Sequence, residues 1–240
     1  SDLALWGDAV RKDPAVARPH ANLGVALLRA GRLDEAGAEL RKALRLRPEY
    51  PEALDNLGDV LLEQGALDEA AASYREAVRL RPAYAEAVFN LGRVALRRRD
   101  WAAAAAAFEA AARLDPRNPL AHHDLAYALT ALGRTDEAIA SYERAAALPS
   151  PSADEHRYNL GNIYARRGDL AQARRWYADA LRVNPGHVDA LIGLGGVALA
   201  EGRAGEADDL YRRALRLRPG SAEAADGLRR ALAAPRSGGG

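Results

Sequence analysis

An all-α solenoid is the fold this 240-residue sequence predicts. Three observations carry the prediction. Related segments return at a spacing near 34 residues: "ANLGVALLRAG", "DNLGDVLLEQG", "FNLGRVALRRR", "YNLGNIYARRG" and, more loosely, "IGLGGVALAEG". Each segment places apolar residues at the three- and four-residue spacing of an amphipathic helix. A break then divides every unit into two helical patterns, and self-similarity at such a period marks a repeat array stacked unit on unit.

The units follow in order. Gly24, Gly58 and Gly92 are 34 residues apart, Ala126 fills the same slot 34 later, Gly161 comes 35 after that and Gly195 a further 34. Frames fall at 17–50, 51–84, 85–118, 119–152, 154–187 and 188–221, six complete repeats. Ahead of them, Leu3, Leu5, Trp6 and Ala9 before Pro14 read as the second helix of a half repeat, 1–16. Behind them, 222–234 with Leu228 and Leu232 reads as a cap helix, and 235–240 as a flexible tail. The whole of 1–234 is expected to form one domain of fourteen helices without a strand. Inside a unit the break is glycine at Gly31, Gly65, Gly133, Gly168 and Gly202, the usual left-handed helix terminator. Arg99 stands in that slot in the third frame. Acidic pairs such as Asp34-Glu35 and Asp68-Glu69 follow, where a helix N-terminus favours negative charge. Pro48, Pro82, Pro116, Pro185 and Pro219 close units. The thirty-fifth residue belongs to "LPSPSADEH", Leu148 to His156, expected to be a longer surface turn.

A glycine near the middle of a helix costs roughly 1 kcal/mol relative to alanine, so Gly58 needs a reason. Small residues recur in the second helices as well, among them Ala36, Ala70, Ala104 and Ala138, and seven residues later at Ala43, Ala77, Ala111 and Ala145. Two helices approach closely only where neither is bulky. Large columns, with Leu40, Tyr74, Phe108, Tyr142, Tyr177 and Tyr211 as one of them, fill the space around the approach.

At these columns the chain resembles the tetratricopeptide repeat family, whose pattern is Leu-Gly, then Ala, aromatic, Ala and Pro at set offsets. The resemblance covers 17–221. It implies a right-handed superhelix in which slots 2, 5, 6, 9, 12 and 13 of each first helix line a concave groove for extended peptides or partner helices. Slot six reads Asn22, Asn56, Asn90, Asp124, Asn159 and Gly193. Carboxamides both donate and accept, so the row could match a peptide backbone without reading its sequence. It is similar to the asparagine ladder in the repeat arm of O-linked N-acetylglucosamine transferases. An ordinary structural role, bonding across neighbouring helices, stands beside that reading. Around the row, Phe89, Arg93, Arg97, His123, Tyr127, Tyr158 and Asn162 make the middle of the stripe the region readiest for an interface, since aromatic and arginine side chains most often carry interface energy. The lysines of the family's carboxylate-binding class are missing from the stripe.

Composition narrows the rest. With 34 basic and 33 acidic residues the net charge is +1, so no overall field selects nucleic acid or an anionic membrane. The arginine doublets and triplets are diluted by acids and read as solvated faces. No apolar run reaches a membrane-spanning length, and the segment is expected to be soluble and cytoplasmic. Cysteine and methionine are absent. No nucleophile elbow, phosphate loop, dinucleotide fingerprint or metalloprotease motif occurs. His122, His123 and Asp124 are consecutive, and successive helical residues point about 100° apart, so they do not converge on a metal. No catalytic residue, metal or cofactor is expected. The leading expectation is a non-enzymatic scaffold that binds a protein or peptide in its groove. The alternatives are the substrate-recognition arm of a larger enzyme such as a glycosyltransferase, or a designed or self-assembling scaffold joined through its terminal repeats.

Overall fold

A computed structural model describes residues 1–234, which hold fourteen α-helices and no strand. The tail expected at 235–240 lies outside the described residues. Two compact units divide the chain, one from Ser1 to Arg117 and one from Asn118 onward. The first contains α1 (Asp2–Lys12), α2 (Ala17–Arg29), α3 (Leu33–Leu46), α4 (Pro51–Glu63), α5 (Leu67–Leu80), α6 (Ala85–Arg97) and α7 (Trp101–Leu114). The second contains α8 (Pro119–Ala131), α9 (Thr135–Ala147), α10 (Ala153–Arg166), α11 (Leu170–Val183), α12 (Val188–Ala200), α13 (Ala204–Leu217) and α14 (Ala222–Ala233).

Within each unit consecutive helices pack as antiparallel pairs, and first helices of successive pairs also touch: α2 with α4 and α4 with α6, then α10 with α12 and α12 with α14. The second helices are not packed on one another to that extent. The face of α2, α4 and α6, and that of α10 and α12, is therefore where side chains from successive repeats crowd together.

The glycine columns do what the sequence requires of them. A β-carbon on Gly24 would lie 2.6 Å from Leu40 Cγ, on Gly92 2.6 Å from the Phe108 ring and on Gly161 2.5 Å from the Tyr177 ring. Gly193 also faces the Tyr177 ring, at 2.6 Å. Leu40, Phe108 and Tyr177 are buried beneath these contacts. The break glycines adopt φ between 72° and 80°. Each is followed by a backbone bond that closes the helix end, as where Ala66 N donates to Leu61 O at 2.8 Å.

Arg99 takes the same left-handed conformation at φ 58°, with Asp100 N donating to Ala95 O at 2.9 Å. A side chain there is strained by about 1–2 kcal/mol, partly offset by the entropy glycine loses on folding. Arg99→Gly is expected to raise stability by about 0.5–1 kcal/mol in urea unfolding followed by circular dichroism, and a loss of stability would contradict the strain.

The connection between α9 and α10 is one residue longer than those after α3, α5, α11 and α13. Ser150 Oγ organises it, accepting from Ser152 N at 3.1 Å and lying 3.2 Å from His156 Nε2. Helix α1 has no fully buried residue and packs on α2.

Candidate functional site

In the first unit the face of α4 and α6 is a polar network. Asp55, almost fully buried, accepts from Asn90 Nδ2 at 3.1 Å and from the Tyr84 hydroxyl at 3.4 Å. Asn90 Oδ1 accepts from Arg93 Nη1 at 3.1 Å, and the same nitrogen reaches Asp59 Oδ1 at 3.3 Å. Asp59 also accepts from the buried Tyr74 hydroxyl at 2.8 Å. Arg93 and Arg97 approach Glu63 at 3.7 and 4.0 Å. Burial pushes the Asp55 carboxyl up to about 7, with the like charges of Asp59 and Glu86 adding to the rise against the bonds from Asn90 and Tyr84. Asp59 is raised for the same first reason.

Asn90 was expected to stand open on the face. It is buried instead, with both ends of its carboxamide engaged inside the protein, because Asp55 lies opposite it on the preceding first helix. Arg93 and Arg97 are likewise partly neutralised by acids of α4. Asn56 donates to Glu52 O of its own helix at 2.6 Å, a local bond that competes with the helix ladder. Phe89 packs on Phe108, with centroids 5.2 Å apart. Asn22 and Asn56 line a cleft of about 450 Å³ with Arg18, Tyr50, Arg47, Glu52 and Arg81.

In the second unit a cleft of about 410 Å³ opens between side chains of α8, α9, α10 and α11. Tyr127, 48% exposed, forms one wall with Thr130. Asn159, Asn162 and Arg166 line it from α10, and the Tyr142 and Tyr177 rings complete it. Asn162 Oδ1 accepts from the Tyr177 hydroxyl at 2.7 Å. The Asn159 side chain has no hydrogen-bond partner and Arg166 no ion pair among the described residues. No acidic residue lines the cleft, so the Arg166 charge is unanswered there. Tyr158 lies outside it, its ring tilted against His187 with centroids 4.9 Å apart and 6.0 Å from that of Tyr177. Asp124 is half-buried on α8.

The histidines hold an arrangement that consecutive-residue reasoning missed. His123 Nδ1 lies 2.9 Å from His156 Nδ1, and the His123 ring meets the edge of Tyr142 at 5.2 Å. Burial and then the neighbouring His156 hold His123 down at about 4, and burial lowers His156. The pair is therefore neutral at physiological pH, one ring donating to the other. Their 33-residue separation, close to the repeat length, was the available signal. His20 is also structural, bonding Glu39 at 2.6 Å and Pro14 O at 3.0 Å. Among the described residues no group of three or more potential ligands could hold a metal, and no helix is long and apolar enough to cross a membrane.

The comparisons with known proteins agree with this architecture. Two tetratricopeptide repeat models match, one over residues 15–83 and the other over 56–119, 89–154, 123–182 and 158–222. A search of curated proteins gave no match. Among solved structures, the chain is similar to one in the APC/C hetero-tetramer Cut9-Hcn1, with a TM-score of 0.71 and 21% identity over 96% of this sequence. It spans only 45% of that longer chain. It is also similar to PilF of Pseudomonas aeruginosa, with a TM-score of 0.74 and 20% identity over 89% of this chain and 96% of that one. YrrB, a tetratricopeptide protein with an unusual peptide-binding site, aligns with a TM-score of 0.67 and 24% identity over 79% of this chain and 97% of that one. At these identities the likeness concerns the fold. With family models covering most of its length and helix pairs closed on the expected glycine and alanine columns, the chain belongs to the tetratricopeptide repeat family.

Proposed function

We propose that this protein is a non-catalytic scaffold that holds a segment of a partner polypeptide against its first helices, and that the segment enters the cleft of Tyr127, Asn159, Asn162 and Arg166. One observation carries this reading: the cleft combines a half-exposed aromatic ring with a carboxamide and a guanidinium that no protein group satisfies. Such groups are hydrated in the free protein and gain most from a ligand that brings its own donors and acceptors. Family membership supports it, since tetratricopeptide proteins mediate protein–protein interactions, and YrrB is described as having a peptide-binding site. An extended peptide fits better than a small metabolite because the unmatched groups are few, and they bond a backbone as readily as a side chain. The asparagine row contributes through Asn159, while Asn90 serves the fold.

The test uses peptides selected from a random displayed library against the full chain. Their dissociation constants are expected near 10 μM, about −7 kcal/mol. Tyr127→Ala with Asn159→Ala should weaken them about tenfold or more, about 1.4 kcal/mol, with an unchanged melting temperature. Peptides whose affinity survives the double variant would place the site elsewhere.

A further inference from the structure

The cleft of the first unit is built from a repeated motif. Arg47-Pro48-Glu49-Tyr50 and Arg81-Pro82-Ala83-Tyr84 each end a second helix and enter the next first helix. In both, the guanidinium lies over the tyrosine ring at 4.8 Å from its centroid. Stacking on an aromatic face orients the planar fork in advance, so less freedom is lost when it meets an anion. The two arginines converge, because the Glu52 carboxylate bonds Arg81 and also feels the charge of Arg47. Arg18 of α2 lines the same cleft, and neither it nor Arg47 forms an ion pair among the described residues. Asn22 and Asn56 add carboxamides to the wall.

The charge of the lining is uneven. Three arginines less one glutamate leave +2, in a chain whose net charge is only +1. Glu52 already answers Arg81, and a single further carboxylate would answer only half of what remains. A phosphate monoester carries about −1.5 to −2 at neutral pH and presents three oxygens to guanidinium forks, each able to take charge-assisted bonds.

From this arrangement we propose that the Arg18–Arg47–Arg81 cleft is a phosphate-binding site that takes a phosphorylated side chain of a partner peptide. Arg18 and Arg47 hold the phosphoryl oxygens, the carboxamide of Asn22 supplies a neutral donor, and Glu52 limits affinity by competing for Arg81. The assignment extends the scaffold reading above and rests on it for the peptide. It uses none of the residues of the Tyr127 cleft.

The experiment is a titration of the 15N-labelled full chain, read by NMR at the side-chain amides of Asn22 and Asn56. Three probes are compared: an acetylated, amidated alanine pentapeptide with phosphoserine at its centre, the same peptide with glutamate there, and inorganic phosphate. The phosphopeptide should give saturable shifts and bind about tenfold tighter than either other probe. Arg18→Ala with Arg47→Ala should weaken it about tenfold or more, and Glu52→Gln should tighten it about threefold. Tyr127→Ala with Asn159→Ala should leave it unchanged, which separates failure of this site from failure of the other. Equal binding of the glutamate peptide would make the site a carboxylate reader and overturn the proposal. Equal binding of inorganic phosphate would mean an adventitious ion only. Binding indifferent to the arginine pair would also overturn it.

Discussion

Gly58→Leu is expected to lower stability by about 3 kcal/mol, one of the two largest effects expected of a single substitution in this protein. Gly58 lies within α4, where its backbone is helical and glycine itself is unfavourable by about 1 kcal/mol. What fixes the choice is Tyr74 on α5. A β-carbon at Gly58 would stand 2.5 Å from Tyr74 Cε1 and 2.7 Å from both Cδ1 and Cζ, inside van der Waals contact. The ring cannot move aside, since it is fully buried and its hydroxyl donates to Asp59 at 2.8 Å. The helices must therefore separate, and overpacking of this kind costs about 1–3 kcal/mol and occasionally more. Even Gly58→Ala should cost about 2 kcal/mol by the same contact. Gly205 on α13 is the control: a β-carbon there meets nothing within 4 Å, and Gly205→Ala should be neutral or stabilising by up to about 1 kcal/mol. Urea unfolding of the three variants decides the matter. A Gly58→Leu protein as stable as its parent would remove the close approach from the account.

The helix pairs were legible because the contacts that define them recur inside every repeat. Gly58 with Tyr74 and Gly92 with Phe108 each lie sixteen residues apart, so the periodic columns carried the packing in the sequence itself. The same regularity located the left-handed turns, Arg99 included. Contacts between one repeat and the next left only a spacing, 33 residues for His123 and His156 and 35 for Asp55 and Asn90, with no recurring residue type to mark it. Slot five varies through Ala21, Asp55, Phe89, His123, Tyr158 and Ile192, and only the fold brings Asp55 against Asn90 or His123 against His156. Asn90 therefore read as a ligand donor when it is a partner for a buried carboxylate. Gly193 read as a gap in the asparagine row, whereas it makes room for the Tyr177 ring of the preceding pair. Tyr127, Asn159 and Asn162 were all singled out for the groove, and one cleft holds them. Arg166, which lines that cleft, was read with its neighbour as part of a solvated face, and Arg47 and Arg81 drew no reading, because placement over a tyrosine ring depends on geometry that spacing does not reveal.

Asp55→Asn is expected to stabilise the protein, by an amount that grows with pH. The carboxyl of Asp55 is almost wholly removed from water. Its neighbours donate two neutral hydrogen bonds, from Asn90 and Tyr84, while Arg93 spends its charge on Asp59. Burial thus dominates, and like charge from Asp59 and Glu86 adds to it, moving the group from 3.8 to about 7 on folding. Between those values the folded protein binds the proton more tightly than the unfolded chain. The contribution to stability is therefore complete below the unfolded value and is lost as pH rises through the folded one. A displacement of about three pH units corresponds to about 4 kcal/mol as an upper bound. Asparagine keeps the shape and the acceptor oxygen without an ionisable proton, so parent and variant should be equally stable near pH 4. By pH 8 the variant should lead by about 2–4 kcal/mol. Comparing the two proteins at each pH cancels the opposite trend of His123 and His156, whose lowered affinity for protons makes acid destabilising. Guanidinium unfolding at half-unit intervals between pH 4 and 8 measures the difference. A constant difference across that range, or a variant weaker at pH 8 than at pH 4, would show that the Asp55 charge is stabilised within the α4–α6 network rather than suppressed by it.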